Sequence, residues 1–220
     1  LACARIDLAA FFLERSGPVP DTLFGAPNPY LTVMRGLHIR VNLFQGQVGA
    51  ALKLVHTAIE SAHTPVESLF TSAVACLVEG NSDDRRSAKE LADRIESSGI
   101  DPVSAVTRGC YLLAAYGLVA AGNGARAAKF ILDAGGDPAL DHFMIIDRVL
   151  GLELLASSAI TAGDLDAAEA WLARARPLHE HPIAASTVAR IESRVALLAG
   201  DSARAVEMAE QAIEVARADD

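Results

Sequence analysis

A short turn that recurs five times constrains this chain more than any other feature. Gly46-Gln47, Gly80-Asn81, Gly122-Asn123, Gly163-Asp164 and Gly200-Asp201 each stand between two runs with helical periodicity, at spacings of 34, 42, 41 and 37 residues. Glycine just past a helix can take the left-handed C-cap conformation, and Asn or Asp beside it can cap the helix that follows. Such a pair closes one helix and opens another, so the repeated unit is an αα-hairpin. A period of this length belongs to helical arrays.

Superposing the five units on the turn glycine extends the likeness beyond the turn. Twelve residues on, every unit has Ala (Ala58, Ala92, Ala134, Ala175, Ala212); five residues on, four units have Ala (Ala51, Ala127, Ala168, Ala205), and the exception is Arg85, where the turn looks longer. Three residues before the glycine all five are apolar: Leu43, Leu77, Val119, Ile160 and Leu197. Two helices approach to about 8 Å only where no large side chain stands between them, and Ala is the helix former that permits it. Bulkier residues at the eighth and ninth positions (Leu54 and Val55, Phe130 and Ile131, Trp171 and Leu172) fill the space between layers. This is a tetratricopeptide-like pattern.

The chain therefore reads as one all-α domain over residues 1–220, an α-α superhelix of about five helix pairs plus a leading helix, with units at about 30–63, 66–99, 102–135, 141–177 and 183–218. The leading helix spans about 2–15. Four prolines (Pro18, Pro20, Pro27, Pro29) forbid a continuous helix across the link 16–29. Composition agrees: 42 Ala and 26 Leu among 220 residues, with only 5% aromatic side chains, argue against an all-β fold. Gly135-Gly136-Asp137-Pro138 breaks the array between the third and fourth units but is too short for a flexible domain linker.

Charge and cysteine usage narrow the partners. A net charge of -9 repels phosphate backbones and anionic membranes, so direct nucleic-acid binding by this chain is not expected. The longest uncharged stretch, Gly109 to Ala125, has 17 residues and is interrupted by Gly122-Asn123-Gly124, short of the ~20 apolar residues of a membrane span. Cys3, Cys76 and Cys110 are widely spaced among apolar neighbours and read as buried thiols, which makes a reducing cytoplasm the default. The chain opens at Leu1 within a helical pattern and reads as an excised piece of a larger protein.

Motifs for chemistry are weak. His179-Glu180-His181 has its imidazoles two apart between Pro177 and Pro182, whereas a helical zinc site needs them four apart, so a solvated link is expected there. His38, His56, His63 and His142 have no partner at ligand spacing. Gly122-Asn123-Gly124-Ala125-Arg126 follows a helix and lacks the ending of a phosphate loop, so it reads as an interhelical turn. The last pair has the outline of a helix-turn-helix, but its second helix sets Glu207, Glu210 and Glu214 against Arg204 and Arg217, too acidic to read DNA. No catalytic residues and no metal site are expected.

The stretch from Ile131 to Leu178, with AGG at 134–136, Ile146-Asp147-Arg148 followed by Leu150, Glu153 and Leu154, and AGDLDAAEAW at 162–171, resembles the helical-repeat region of large LuxR-type, MalT-like bacterial transcriptional regulators. His181, Pro182 and Arg190 extend the likeness, which covers about the last ninety residues. The resemblance implies a parent with an N-terminal ATP-binding module and a C-terminal DNA-binding helix-turn-helix. Neither is in this chain, so no cofactor is expected here and ATP would belong to the missing module. It also implies a non-catalytic sensor that receives a small-molecule or protein inducer and passes the signal to the other modules. The alternative is a free-standing adaptor for protein–protein interaction.

In tetratricopeptide-like arrays the first helix of each pair lines the concave face, and by analogy residues six and ten before the turn glycine point into the groove. Counting back gives Arg40, Val74, Tyr116, Ser157 and Arg194, and Gly36, Phe70, Leu112, Glu153 and Arg190. The expected site is thus Arg40, Phe70, Tyr116, Glu153, Ser157, Arg190 and Arg194, with an apolar and aromatic middle and two arginines at the C-terminal end that could grip an anion. The alternative for Arg190 and Arg194 is ordinary surface pairing with Glu153 and other acids.

Overall fold

The computed structural model describes residues 6–16, 20, 22–23, 26–28, 30–82, 85–136 and 138–218. Among these, eleven α-helices follow one another: α1 (Ile6–Ser16), α2 (Leu31–Phe44), α3 (Val48–Glu60), α4 (Pro65–Gly80), α5 (Arg85–Ser97), α6 (Ala105–Ala120), α7 (Gly124–Gly135), α8 (Ile145–Ala162), α9 (Leu165–Ala175), α10 (Pro182–Leu198) and α11 (Ser202–Ala218). Local chemistry sets their ends. Thr64 and Glu67 form a reciprocal capping box at α4, Ser104 and Thr107 another at α6, and the Asp164 carboxylate accepts from the Ala167 amide at 3.0 Å to open α9. Gly46, Gly122, Gly163 and Gly200 have φ between +73° and +84°, the left-handed turn conformation that their position in the repeat requires.

The described residues between α1 and α2 are not helical, as the prolines there require. Thr22–Leu23 pairs antiparallel with Ala26–Pro27, a two-residue ladder, and the Asn28 amide donates to the Pro20 carbonyl at 2.8 Å. The first four residues of the expected leading helix lie outside the described residues.

Gly80 departs from the expected turn. It is the last residue of α4, buried, with no positive φ, and Asn81 caps the helix. Its lack of a side chain serves packing: a Cβ there would overlap the Gly117 carbonyl of α6, and a Cβ on Gly117 would overlap the Cys76 carbonyl of α4. With the helix running to Gly80, α5 begins five residues after the glycine, whereas α3, α7, α9 and α11 begin two after theirs.

That difference of three corrects the alignment of the second unit. Counted from the start of each second helix, the fourth residue is Ala in all five: Ala51, Ala88, Ala127, Ala168 and Ala205, every one buried. Ala92 therefore stands where Val55, Ile131 and Leu172 stand, and Ile95 takes the place of Ala58, Ala134 and Ala175. Arg85 is the exposed first residue of α5, outside the repeated contact.

The first helices α2, α4, α6, α8 and α10 pack on one another in succession. Each second helix packs on the first helix of its own pair and, except for the last, α11, on that of the next, and the second helices do not pack on one another to a comparable extent. An array whose first helices touch while its second helices splay is concave on the side of the first helices. One hydrophobic core runs through it from Ile39 to Val195. Ala168 and Ala175 are fully buried on α9. Enlarging either to Leu should cost about 1–3 kcal/mol by overpacking, and unchanged urea midpoints for both variants would refute the register. No helix among the described residues is long and apolar enough to cross a membrane.

Candidate functional site

The positions six and ten before the turn glycines lie one turn apart on the first helices, but they do not form one open groove. Val74, Leu112 and Ser157 are buried within the array. The Phe70 ring closes over Gly36, where a Cβ would come within 2.6 Å of its Cζ, so this aromatic seals the seam between α2 and α4. The apolar middle expected from sequence is thus mostly spent on packing the inner layer.

At the C-terminal end both arginines are engaged. Arg190 donates from Nε to Glu153 Oε1 at 2.6 Å and from Nη2 to Glu153 Oε2 at 2.9 Å, a bidentate pair linking α10 to α8. The hydrogen bonds to Glu153 hold the Arg190 guanidinium above its ordinary pKa. Arg194 donates from Nη1 to Ser157 Oγ at 2.6 Å, one turn further along the same two helices. An incoming anion at Arg190 would have to displace a carboxylate already held in its fork.

Arg40 is in a different state. Its Nε donates to the Gly36 carbonyl at 3.3 Å, one turn back on its own helix, and among the described residues no carboxylate pairs with it. Burial lowers its pKa, with no opposing charge to raise it. One turn further along α2, the Phe44 ring is partly exposed and meets the Tyr116 ring edge-on at a centroid distance of 6.3 Å. Burial first, and the Glu153 charge second, push the Tyr116 phenol above its ordinary pKa, so its hydroxyl stays protonated as a donor. Phe44 lies two residues before the turn glycine, outside the two positions counted from sequence; its spacing of four from Arg40 is the signal that places it on the same face.

A second polar cluster lies near the end of the array. His179-Glu180-His181 is a link with His179 and Glu180 exposed, and it is locally regular: Arg176–Glu180 forms a 3-10 turn and His181 stands at the N-cap of α10. Glu192 bridges Arg176 at 3.3 Å and Arg204 at 3.0 Å, and Arg204 also reaches Glu207 at 3.0 Å. Arg176, His179, Glu192 and Arg204 line an open cavity of about 360 Å³ between the 3-10 turn, α10 and α11, and both arginines are already paired with Glu192. In the first turn of α7, Arg126 is likewise tied to Asp93 at 2.7 Å and to Glu96 at 2.8 Å.

Cys76 and Cys110 are free and fully buried, and burial pushes both thiols up to about 12. Cys3 lies outside the described residues. With Cys3 changed to Ser, the folded chain should not react with iodoacetamide at about pH 8, because the thiolate is the nucleophile and is scarce there. Both thiols should react in about 6 M guanidinium, where they regain ordinary acidity. Rapid alkylation of the native chain, read by mass spectrometry, would contradict this burial.

In comparisons with known protein families, with curated proteins and with solved structures, nothing matches this chain.

Proposed function

We propose that the chain is the non-catalytic sensor and interaction module of a LuxR-type bacterial transcriptional regulator, acting in the cytoplasm and taking its signal on the concave face of a tetratricopeptide-like array. The observation that carries the groove reading is the group Arg40, Phe44 and Tyr116 on that face, a cation with no carboxylate partner among the described residues, an exposed ring and a half-buried phenol in edge contact with it. The resemblance of Ile131–Leu178 to the repeat region of such regulators supplies the link to transcription. A ligand lying across several first helices would tie neighbouring pairs together. Each pair in such an array touches only its neighbours, so fixing one part changes the curvature presented to the flanking modules.

The test uses the whole polypeptide in which the chain occurs, in a promoter-reporter strain. Tyr116→Ala should abolish the response to inducer while operator binding in a shift assay persists. An unaltered dose response would refute the groove reading. A reading frame without a DNA-binding module would overturn the regulatory reading in favour of a free-standing adaptor.

A further inference from the structure

We propose that Arg40, Phe44 and Tyr116 form the anion-anchoring subsite of the concave face, and that its ligand carries a carboxylate or phosphate on an aromatic body. This rests on the groove reading above and moves the anchor away from the arginines at the C-terminal end. Those differ from Arg40 in what they touch: Arg190 has its fork filled by Glu153, and Arg194 donates to Ser157. Arg40 has a single hydrogen bond, from Nε to a carbonyl of its own helix, and neither Nη group has a partner among the described residues.

A partly buried guanidinium without a counter-charge is costly to a fold, because desolvation is not repaid by attraction to an anion. Both Nη groups of Arg40, partnerless among the described residues and not buried, remain open to an anion. Its surroundings set the rest of the ligand. Phe44 is one turn along α2 on the same face and offers 41% of its surface, while the guanidinium, hydrogen-bonded to the Gly36 carbonyl, lies one turn back. Beyond that ring stands Tyr116, whose hydroxyl has no hydrogen-bond partner among the described residues. An anion held bidentately by the Nη groups leaves an attached ring against Phe44 and a polar acceptor on the far side of the ring within reach of the phenol. The face suits an anion although the chain is acidic: the positions six and ten before the turns carry Arg40, Arg190 and Arg194 against Glu153 alone, while the chain carries -9.

Two sources share this chemistry, a free aromatic acid or phosphate ester and the C-terminal carboxylate of a peptide ending in an aromatic residue. The experiment is calorimetric titration of the 220-residue chain with phenylacetate, phenyl phosphate, phenylacetamide, inorganic phosphate and the peptide acetyl-Ala-Ala-Ala-Phe. Phenylacetate or phenyl phosphate should bind at least about tenfold more tightly than phenylacetamide and inorganic phosphate, because both the charge and the ring are needed. Tighter binding of the peptide than of phenylacetate would assign the peptide source, and the reverse order the free acid.

Arg40→Gln should weaken binding about tenfold or more, Arg40→Lys less, and Tyr116→Phe a fewfold. Arg204→Gln, on α11 at the far end of the array, should leave binding unchanged. The melting temperature of Arg40→Gln should stay the same or rise, since an unpaired charge is removed; a fall of several degrees would show Arg40 to be structural and overturn the proposal. Equal binding of the neutral amide, or full binding to Arg40→Gln, would overturn it as well. If no probe binds while Tyr116→Ala still abolishes the reporter response, the groove reading survives and the Arg40 subsite falls. If both fail, both fall.

Discussion

Replacing Gly117 by Ala should lower stability by about 3 kcal/mol or more, which for a chain of this size is a fall in melting temperature of about 6–12 °C. Helix propensity alone predicts the opposite sign, since Ala is better than Gly in a helix interior by about 1 kcal/mol. Packing wins because of what the new methyl would meet. It would overlap the Cys76 carbonyl oxygen and stand 2.5 Å from the Cys76 carbonyl carbon and 2.8 Å from the Leu77 Cα, all backbone atoms of α4 that no rotamer change can move. Gly80→Ala meets the Gly117 carbonyl group in the same contact and should cost as much. Gly109, also in α6, is the internal control. Nothing lies within 4 Å of its would-be Cβ, so Gly109→Ala should be neutral or stabilising. Equal midpoints for Gly117→Ala and Gly109→Ala in urea unfolding would show that α4 and α6 do not meet as described.

The second large effect is expected at Leu140, in the connection between α7 and α8. It is fully buried, and it is the one non-glycine residue among those described with positive φ, at 56°. That backbone conformation costs a leucine of order 1–3 kcal/mol, and the seat of its side chain over-determines it. A Cβ on Gly135 would lie 2.5 Å from Leu140 Cδ2, and one on Gly151 would lie 3.0 Å from Leu140 Cδ1. Two glycines, one on each flanking helix, thus make room for one leucine, which wedges the connection onto the core.

Leu140→Ala should cost about 2–5 kcal/mol through the cavity it leaves. Gly151→Ala alone should also destabilise, because its methyl would press on Leu140 Cδ1 and on Ile131 Cγ2 at 3.3 Å. Combining the two should cost less than the sum, since the added methyl then occupies part of the vacated space. A coupling of about 0.5–3 kcal/mol in that direction is the expected size for residues in contact. Strict additivity in a double-mutant cycle by chemical denaturation would refute the wedge.

What sequence alone determined is the local part: all-helical character, the pairing of helices, and four of the five turns. The chemistry responsible is contained in a few adjacent residues, a glycine able to take positive φ at 46, 122, 163 and 200, or a capping residue such as Asp164. Gly80 misled because a glycine retained for close backbone approach is indistinguishable in sequence from one retained for a turn. The Ala92 match followed from that error, and the three-residue shift in the second unit becomes visible only once the start of α5 is known.

Tertiary structure alone decided the state of the concave face. Residues 153 and 190 are 37 apart in the chain, and whether Arg190 meets a ligand or Glu153 depends on how closely α8 and α10 approach. Likewise Phe70 lines an open groove or seals a seam according to whether α2 offers it a Cβ or the bare backbone of Gly36. Periodicity in a sequence reports which face of one helix is apolar. The distance between two helices is set by the side chains of both at their contact, and on that distance depends whether a polar group is spent on the fold or left for binding.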